Sequence, residues 1–252
     1  MSKSIAEIKE EFEQADLIQR RALSEEYASD GRAGVQKIID SYRKKEEALR
    51  AEKERLLTMK NYERKYADCG YICGIDEAGR GPLAGPVVAG AVILPTDCEI
   101  LYLNDSKKLS ASKRDLLYDE IMEKALAVGV GMASPARIDE INILQATYEA
   151  MREAISKLQV KPDILLNDAV TIPDVDIRQI PIIKGDAKSV SIAAASIIAK
   201  VTRDRLMVQY DEILPGYGFA KHKGYGSWEH IAAIRQMGAS PIHRQSFIKN
   251  FL

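Results

Sequence analysis

Two apolar segments joined by a glycine-rich turn constrain the fold of this chain more than any other feature. Residues 71–75 read YICGI and residues 87–94 read VVAGAVIL, and both have the length and side-chain types of buried strands. The first segment ends in two adjacent carboxylates, Asp76 and Glu77, which Gly79-Arg80-Gly81 follows. A strand–turn–strand unit has no structural need for these charges, so the turn is a candidate functional site.

The rest of the chain after residue 71 alternates between strand and helix patterns. Residues 125–133, 163–168 and 177–186 are predicted to form further strands. Helices are predicted to start after Ser112, Ser134 and Lys188 and near Ser227. Pro135 lies in the first turn of the second of these helices, and Pro215 ends the third. This alternation is typical of an α/β domain in which helices cover a mixed sheet.

The N-terminal segment has a different character. Charged residues fill 26 of the first 60 positions, without a proline, and apolar residues recur at helical spacing. We expect two or three helices with a break near Asp30-Gly31, and we divide the chain into a helical extension (1–68) and a main domain (69–252). A solvated appendage and an arm that contacts substrate or a partner both fit this segment.

Composition narrows the class of protein. No run approaches the roughly 20 apolar residues of a membrane span, and the charged N-terminus lacks the apolar core of a signal peptide. Three cysteines without metal-binding spacing favour a reducing, cytoplasmic location. The net charge is −1, but residues 61–180 carry 13 basic and 19 acidic groups (−6), whereas residues 181–252 carry 10 and 5 (+5). This asymmetry is compatible with metal-binding carboxylates beside a phosphate-binding surface.

Three predicted strands end in a carboxylate: Asp76, Asp168 and Asp186. A single aspartate there is as consistent with a turn or a helix cap as with function. Three of them indicate a site, because loops from different segments converge at strand ends in α/β sheets. Clustered carboxylates repel one another, and hard ions such as Mg²⁺ and Mn²⁺ compensate them. Two such ions about 3.5–4 Å apart are a common means of hydrolysing a phosphodiester.

Several uncommon strings then resemble one enzyme family in their order along the chain. They are GIDEAGRGPLAGPVVAGAVIL (74–94), LNDSKKLS (103–110), LLND (165–168), KGDAKSVSIAAASIIAKVTRD (184–204) and GYGFAKHKGYG (216–226). The resemblance is to bacterial ribonuclease HII and covers about residues 70–250. It implies an RNase H-like fold, with a five-stranded mixed sheet flanked by helices, beside the helical N-terminal extension and a helical C-terminal part.

The resemblance also implies an activity and its metal ligands. The family cuts the RNA strand of RNA–DNA hybrids and incises 5′ to ribonucleotides embedded in duplex DNA, which leaves 5′-phosphate and 3′-hydroxyl ends. Two ions, Mg²⁺ or Mn²⁺, would bind to an Asp-Glu-Asp-Asp set that falls on Asp76, Glu77, Asp168 and Asp186. RNA–DNA hybrids and ribonucleotide-containing duplexes are thus the expected partners, and we expect a monomer that does not bind membranes.

The turn after the first strand is expected to recognise ribose. Distinguishing RNA from DNA at one nucleotide requires contact with a 2′-hydroxyl, and glycine permits that close approach. Gly79 and Gly81 would admit the sugar, and Arg80 would contact phosphates. Without the neighbouring carboxylates, a tight turn with an exposed arginine would explain the sequence as well.

Further substrate contacts follow from the resemblance. The family tyrosine that stacks on the neighbouring deoxyribose matches Tyr225, with Tyr217 as the alternative. Lys107 resembles a backbone-contacting lysine. Lys200 and His222 are two further candidates for substrate contact. Lys200 lies on a polar stripe of its helix, which a solvated face would explain as well, and His222 lies in the same loop motif as Tyr225.

Three other functions are alternatives. A junction-resolving nuclease of the same fold would not need a 2′-hydroxyl reader. A type HIII ribonuclease would usually carry a different N-terminal domain. A non-catalytic hybrid-binding protein would not need four intact carboxylates.

Overall fold

The computed structural model describes residues 3–251, and the chain divides after Arg55 into two compact units. The first unit contains α1 (Ile5–Gln14), α2 (Leu17–Glu26) and most of α3 (Ala33–Met59). Ser4 and Asp16 form capping boxes that fix the starts of α1 and α2. A small apolar core, built from Ile8, Phe12, Val35 and Ile39, holds the unit together. The expected helices and the break near Asp30-Gly31 are confirmed.

The second unit follows the predicted strand–helix alternation. Its strands are β1 (Ile72–Ala78), β2 (Val87–Ile93), β3 (Ala127–Ala133), β4 (Ile164–Asp168) and β5 (Arg178–Ile182). Its helices are α4 (Asn61–Lys65), α5 (Ala111–Lys124), α6 (Pro135–Ser156), α7 (Val190–Ile213), α8 (Phe219–His222), α9 (Trp228–Met237) and α10 (Gln245–Ile248). Ser134 and Ser227 cap α6 and α9 near their predicted starts, and Ser189 caps α7, for which the sequence predicts a start after Lys188. The predicted cap at Ser112 is wrong. The Ser110 hydroxyl accepts a hydrogen bond from the Lys113 amide and caps α5, which begins at Ala111.

The five strands of the described chain form one mixed sheet in the order β3-β2-β1-β4-β5. The pairs β1–β2 and β2–β3 are antiparallel, whereas β1–β4 and β4–β5 are parallel. The carboxyl ends of β1, β4 and β5 therefore lie side by side at one edge of the sheet. This topology confirms the predicted five-stranded mixed sheet and brings together the three strand ends that carry aspartates.

Glycines let helices pack directly on both faces of the sheet. A Cβ added at Gly74 would lie 2.0 Å from the Ser191 carbonyl carbon, and one at Gly90 would lie 2.5 Å from the Ala195 oxygen, so α7 touches β1 and β2. On the other face, α6 approaches β3 so closely that a Cβ at Gly131 would lie 2.0 Å from the Ala150 oxygen. The small residues of α7 thus serve packing, and they hold its first half beside the acidic sheet edge.

Candidate active site

Three acidic side chains meet at the sheet edge where β1, β4 and β5 end. Asp76 lies in β1, Asp168 is the last residue of β4, and Asp186 lies in a 3₁₀ turn at Gly185–Ala187 that follows β5. Each offers a carboxylate oxygen, and these oxygens all lie within 4.8 Å of one another. The Gly185 amide donates to Asp168 Oδ1 at 2.7 Å, which fixes the turn against the end of β4.

Burial and repulsion from neighbouring carboxylates disfavour the ionised form of Asp76. Burial first, and then the charges of Glu77 and Asp168, raise the pKa of Asp76 well above its ordinary value. A hydrogen bond from Ser196 on α7 opposes that rise. The Ser196 hydroxyl also lies 2.9 Å from the Ser106 hydroxyl, so a buried pair of serines supports this carboxylate.

The pKa values of Glu77 and Asp186 are also raised. Burial raises the pKa of Glu77, against the opposing charge of Arg80, whose Nη1 lies 3.4 Å from Glu77 Oε1. Burial, Asp105 and Asp168 raise the pKa of Asp186, against the opposing charge of Lys107. Partial burial lowers the pKa of Lys107, but Asp76, Asp105 and other site carboxylates outweigh it and raise that pKa overall. Lys107 therefore lies within the field of the acid cluster.

The donor set fits divalent metal ions. The cluster offers carboxylate oxygens, the ligand type that Mg²⁺ and Mn²⁺ prefer. Burial is the main cause of the raised pKa values of Asp76, Glu77 and Asp186, and repulsion from neighbouring carboxylates adds to it. A bound cation would remove that repulsion, which makes the cluster a candidate metal centre.

The two glycines beside Arg80 occupy different environments. Gly79 is buried with φ +92°, and a Cβ there would lie 2.0 Å from Arg203 Nε. Gly81 is exposed, lies outside the left-handed region, and would place a Cβ in open space. Arg80 itself is exposed. The turn is therefore anchored at Gly79 and open to solvent at Arg80 and Gly81.

Two fully buried arginines hold this turn, a role that the sequence does not predict. Arg244 donates to the carbonyl oxygens of Arg80 at 2.8 Å, Gly79 at 2.5 Å and Gly85 at 3.0 Å. Arg203 donates to the carbonyls of Pro86 at 2.9 Å, Ala84 at 3.0 Å and Lys223 at 2.9 Å. Burial and the nearby Arg203 charge lower the pKa of Arg244 to about 9, so it stays cationic at neutral pH.

The loop that contains Tyr225 lies next to this turn. The Leu83 amide donates to the Gly224 carbonyl at 2.8 Å, and Tyr225 is 44% exposed. Lys200 Nζ lies 5.8 Å from the centre of the Tyr225 ring and forms an ion pair with Asp204 at 2.7 Å. Lys200 thus belongs to the same surface as Tyr225 rather than to a freely solvated face.

Tyr217 and His222 take part in internal packing instead. The Tyr217 hydroxyl donates to the Gly238 carbonyl at 3.0 Å, and its ring stacks on Phe219. His222 Nε2 lies 2.7 Å from the Tyr217 carbonyl oxygen, and the Gly224 amide donates to His222 Nδ1 at 3.1 Å. Of the two candidate tyrosines for ribose reading, Tyr225 is the exposed one.

Comparison with known proteins identifies the family. The family model described as ribonuclease HII matches residues 73–250, and the model of the ribonuclease HII N-terminal domain matches residues 4–67. The chain belongs to the ribonuclease HII family. It is 64% identical over 250 residues to ribonuclease HII of Lachnoclostridium phytofermentans, covering 99% of this chain and 98% of that protein. Ribonuclease HII of Clostridioides difficile is 53% identical, with 99% of both chains covered.

Solved structures of this family share the fold. Ribonuclease H2 from Pyrococcus horikoshii matches with a TM-score of 0.58 and 28% identity, covering 72% of this chain and 96% of that one. Ribonuclease HII from Archaeoglobus fulgidus, solved in a complex with PCNA, gives a TM-score of 0.59 and 29% identity over 71% and 96% of the chains. This ribonuclease HII family member is accordingly a metal-dependent ribonuclease H. Across residues 3–251, no helix has both the length and the apolar character needed to cross a membrane.

Proposed function

We propose that this chain hydrolyses the RNA strand of RNA–DNA hybrids and incises duplex DNA on the 5′ side of an embedded ribonucleotide, leaving 5′-phosphate and 3′-hydroxyl ends. The observation that carries the proposal is the position of the acid cluster. Asp76 lies only three residues before Gly79, so groups suited to metal binding adjoin an open turn suited to a sugar. Membership of the ribonuclease HII family supports the same activity.

Asp76, Glu77, Asp168 and Asp186 would hold two divalent ions, Mg²⁺ or Mn²⁺. Ions bound there would supply Lewis-acid activation of water and stabilisation of the leaving oxygen. The protein's own contribution is to hold these carboxylates close to one another. Pairing within β1 fixes Asp76, the end of β4 fixes Asp168, and the Gly185–Ala187 turn, tied to Asp168, fixes Asp186.

Recognition of ribose would fall to the open part of the turn and to Tyr225. Gly81 has no neighbouring atom within 4 Å of an added Cβ, so a sugar can approach its backbone. Arg80 is exposed and would exchange its 3.4 Å contact with Glu77 for a phosphate. Lys107 would contact the phosphate backbone, and Tyr225 would stack on the adjoining deoxyribose. Because the 2′-hydroxyl contacts would form beside the scissile bond, recognition would contribute to catalysis.

Organisation and location belong to the same proposal. We assign residues 69–252 to catalysis and residues 1–68 to a helical extension, of which residues 56–68 pack within the same compact unit as the catalytic residues. The expected partners are RNA–DNA hybrids and ribonucleotide-containing duplexes. The free cysteines Cys69, Cys73 and Cys98 support a reducing cytoplasm, where the protein would act as a monomer.

A labelled duplex with one ribonucleotide tests the proposal. With Mg²⁺ or Mn²⁺ the chain should cut on the 5′ side of that ribonucleotide, and it should cut the matched all-DNA duplex slower by a factor of about 10² or more. Asp168→Asn should abolish cutting while retaining hybrid binding, because the variant loses a metal ligand and keeps the recognition surface. Equal cutting of both duplexes, or cutting that survives Asp168→Asn, would contradict it.

A further inference from the structure

The three histidines of the chain form one cluster against residues 216–226, here called the Tyr225 loop. His222 stacks on His230 with ring centres 4.4 Å apart, and His230 lies 5.1 Å from His243. His230 and His243 are buried, and Phe219 packs against both rings. Neither metal binding nor substrate contact assigns a role to His230 or His243. Polar rings such as these are costly to bury unless their nitrogens are hydrogen-bonded.

Hydrogen-bond geometry determines which nitrogen of His243 carries the proton. The Ser240 amide donates to His243 Nδ1 at 2.9 Å, and the Ser240 hydroxyl lies 2.7 Å from the same nitrogen. An amide N–H can only donate, so Nδ1 is an acceptor without a proton. His243 is therefore a neutral ring with its proton on Nε2.

The direction of the next hydrogen bond follows from the first. His243 Nε2 lies 2.9 Å from His230 Nε2, and since the former carries the proton, the latter accepts it. The proton of a neutral His230 is then on Nδ1, which donates to the Tyr225 carbonyl oxygen at 2.8 Å. A single directed chain thus runs from Ser240 through His243 and His230 to the backbone of Tyr225. Burial, which lowers the pKa of His230 to about 4, keeps this chain in its neutral form at pH 7.

The backbone of Tyr225 is held from several sides while its ring stays accessible. Its amide donates to the His222 carbonyl at 3.0 Å, and its carbonyl also accepts from the Ser227 amide at 2.8 Å. The preceding residue, Gly224, accepts from Leu83, which follows the Gly79-Arg80-Gly81 turn. These backbone hydrogen bonds hold Tyr225 next to the turn, and the histidine chain adds a hydrogen bond from a side chain to the same backbone.

We infer that His230, oriented by His243, is a positioning residue that fixes Tyr225 relative to the Gly79-Arg80-Gly81 turn and so sets the efficiency of incision at a ribonucleotide. The inference rests on the proposed role of Tyr225 in reading the sugar. His230 acts through Tyr225 and does not touch the substrate. His230 would raise the efficiency of incision by pre-organisation, because a Tyr225 ring held in place before binding loses less conformational freedom when the substrate binds.

Matched substitutions at His230 separate positioning from simple packing. His230→Phe keeps a ring but removes both hydrogen bonds, whereas His230→Asn keeps an amide donor near the place of Nδ1. On the single-ribonucleotide duplex, we expect His230→Phe to lower kcat/KM about fivefold to tenfold, the value of one hydrogen bond. His230→Asn should recover most of that loss. In a Tyr225→Ala background, His230→Phe should have no further effect, because the residue that it positions is gone.

The outcomes distinguish this inference from the proposed function. Equal losses for His230→Phe with and without Tyr225, or an Asn variant as poor as the Phe variant, would overturn the positioning role alone. An unchanged kcat/KM for Tyr225→Ala would overturn the reading role of Tyr225 and the positioning together. Nitrogen-15 NMR of the unmodified protein at pH 7 gives a readout that needs no variant to fold. It should show His230 protonated on Nδ1 and His243 on Nε2, and the reverse pattern or charged rings would overturn the inference.

Discussion

At the residue scale, the two glycines that flank Arg80 are small for different reasons. Gly79 has a positive φ and faces Arg203, so the fold itself excludes a side chain there. Gly81 faces open space in the folded protein, so any demand for its small size comes from what binds. The same short motif therefore combines a structural position with a recognition position.

Replacing each glycine by alanine separates the two requirements. Gly79→Ala should lower the free energy of unfolding by about 2 kcal/mol or more, because its Cβ would force Arg203 away from its carbonyls. Gly81→Ala should change stability by less than about 0.5 kcal/mol. It should nevertheless lower kcat/KM on the single-ribonucleotide duplex roughly tenfold to a hundredfold by displacing the sugar. Urea unfolding and steady-state cleavage measure the two effects, and equal destabilisation by both substitutions would contradict this distinction.

The sequence reveals the acid cluster more readily than its supports. Asp76, Asp168 and Asp186 each end an apolar segment, a local signal that the parallel topology converts into proximity. Arg244 carries no such signal, since its partners Gly79 and Arg80 are more than 160 residues away in the chain. Roles that depend on distant backbone carbonyls become visible only when the chain is folded.

At the element scale, α7 shows the limit of helical periodicity. Its apolar residues Val190 and Ala194 are buried, but the helix backbone meets β1 and β2 at Ser191 and Ala195. The polar stripe, however, is not a solvated face: Ser189 donates to Glu63 at 2.5 Å, Ser196 pairs with Ser106, and Arg203 is buried. Periodicity identifies a polar face but cannot show that distant segments cover it.

The histidine cluster joins α9 to the Tyr225 loop and to residues 240–243, and this connection should be sensitive to acid. Burial and the neighbouring His222 and His243 lower the pKa of His230 from 6.5 to about 4. The unfolded chain therefore binds a proton more readily between these pH values, and the fold loses stability as pH falls through that window. From pH 7 to pH 4.5 the contribution of His230 should reach about 2 kcal/mol.

His230→Asn provides the control for this prediction, because an amide cannot take up that proton. Urea unfolding at pH 7 and pH 4.5 should show a smaller acid-induced loss for His230→Asn than for the unmodified chain. The carboxylates are the same in both proteins, so their titration cancels in the comparison. An identical loss in both would show that His230 does not titrate below its ordinary range.

At the scale of the whole molecule, the boundary between the two units runs through α3. The chain divides after Arg55, yet α3 continues to Met59. Leu56 and Met59 are buried in the core cluster of the second unit with Val92 and Ile197. Glu63 on α4 then accepts from the Ser189 hydroxyl and the Ser191 amide, at the start of α7. The end of α3 and α4 thus belong structurally to the α/β unit that carries the site.

Two truncations test this assignment. A chain of residues 50–252 keeps Leu56, Met59 and Glu63 with a helical turn before them, so it should retain its thermal midpoint to within a few degrees. A chain of residues 69–252 loses two buried apolar side chains and a cap on α7, and its midpoint should fall by about 10 °C or more. The first 60 residues carry 13 basic and 13 acidic groups, so residues 50–252 should also bind an RNA–DNA hybrid within about threefold of the full chain. Calorimetry and fluorescence anisotropy measure these values. Equal midpoints for both truncations would refute the structural role of the α3 end, and a large loss of affinity in residues 50–252 would assign substrate contact to the first unit.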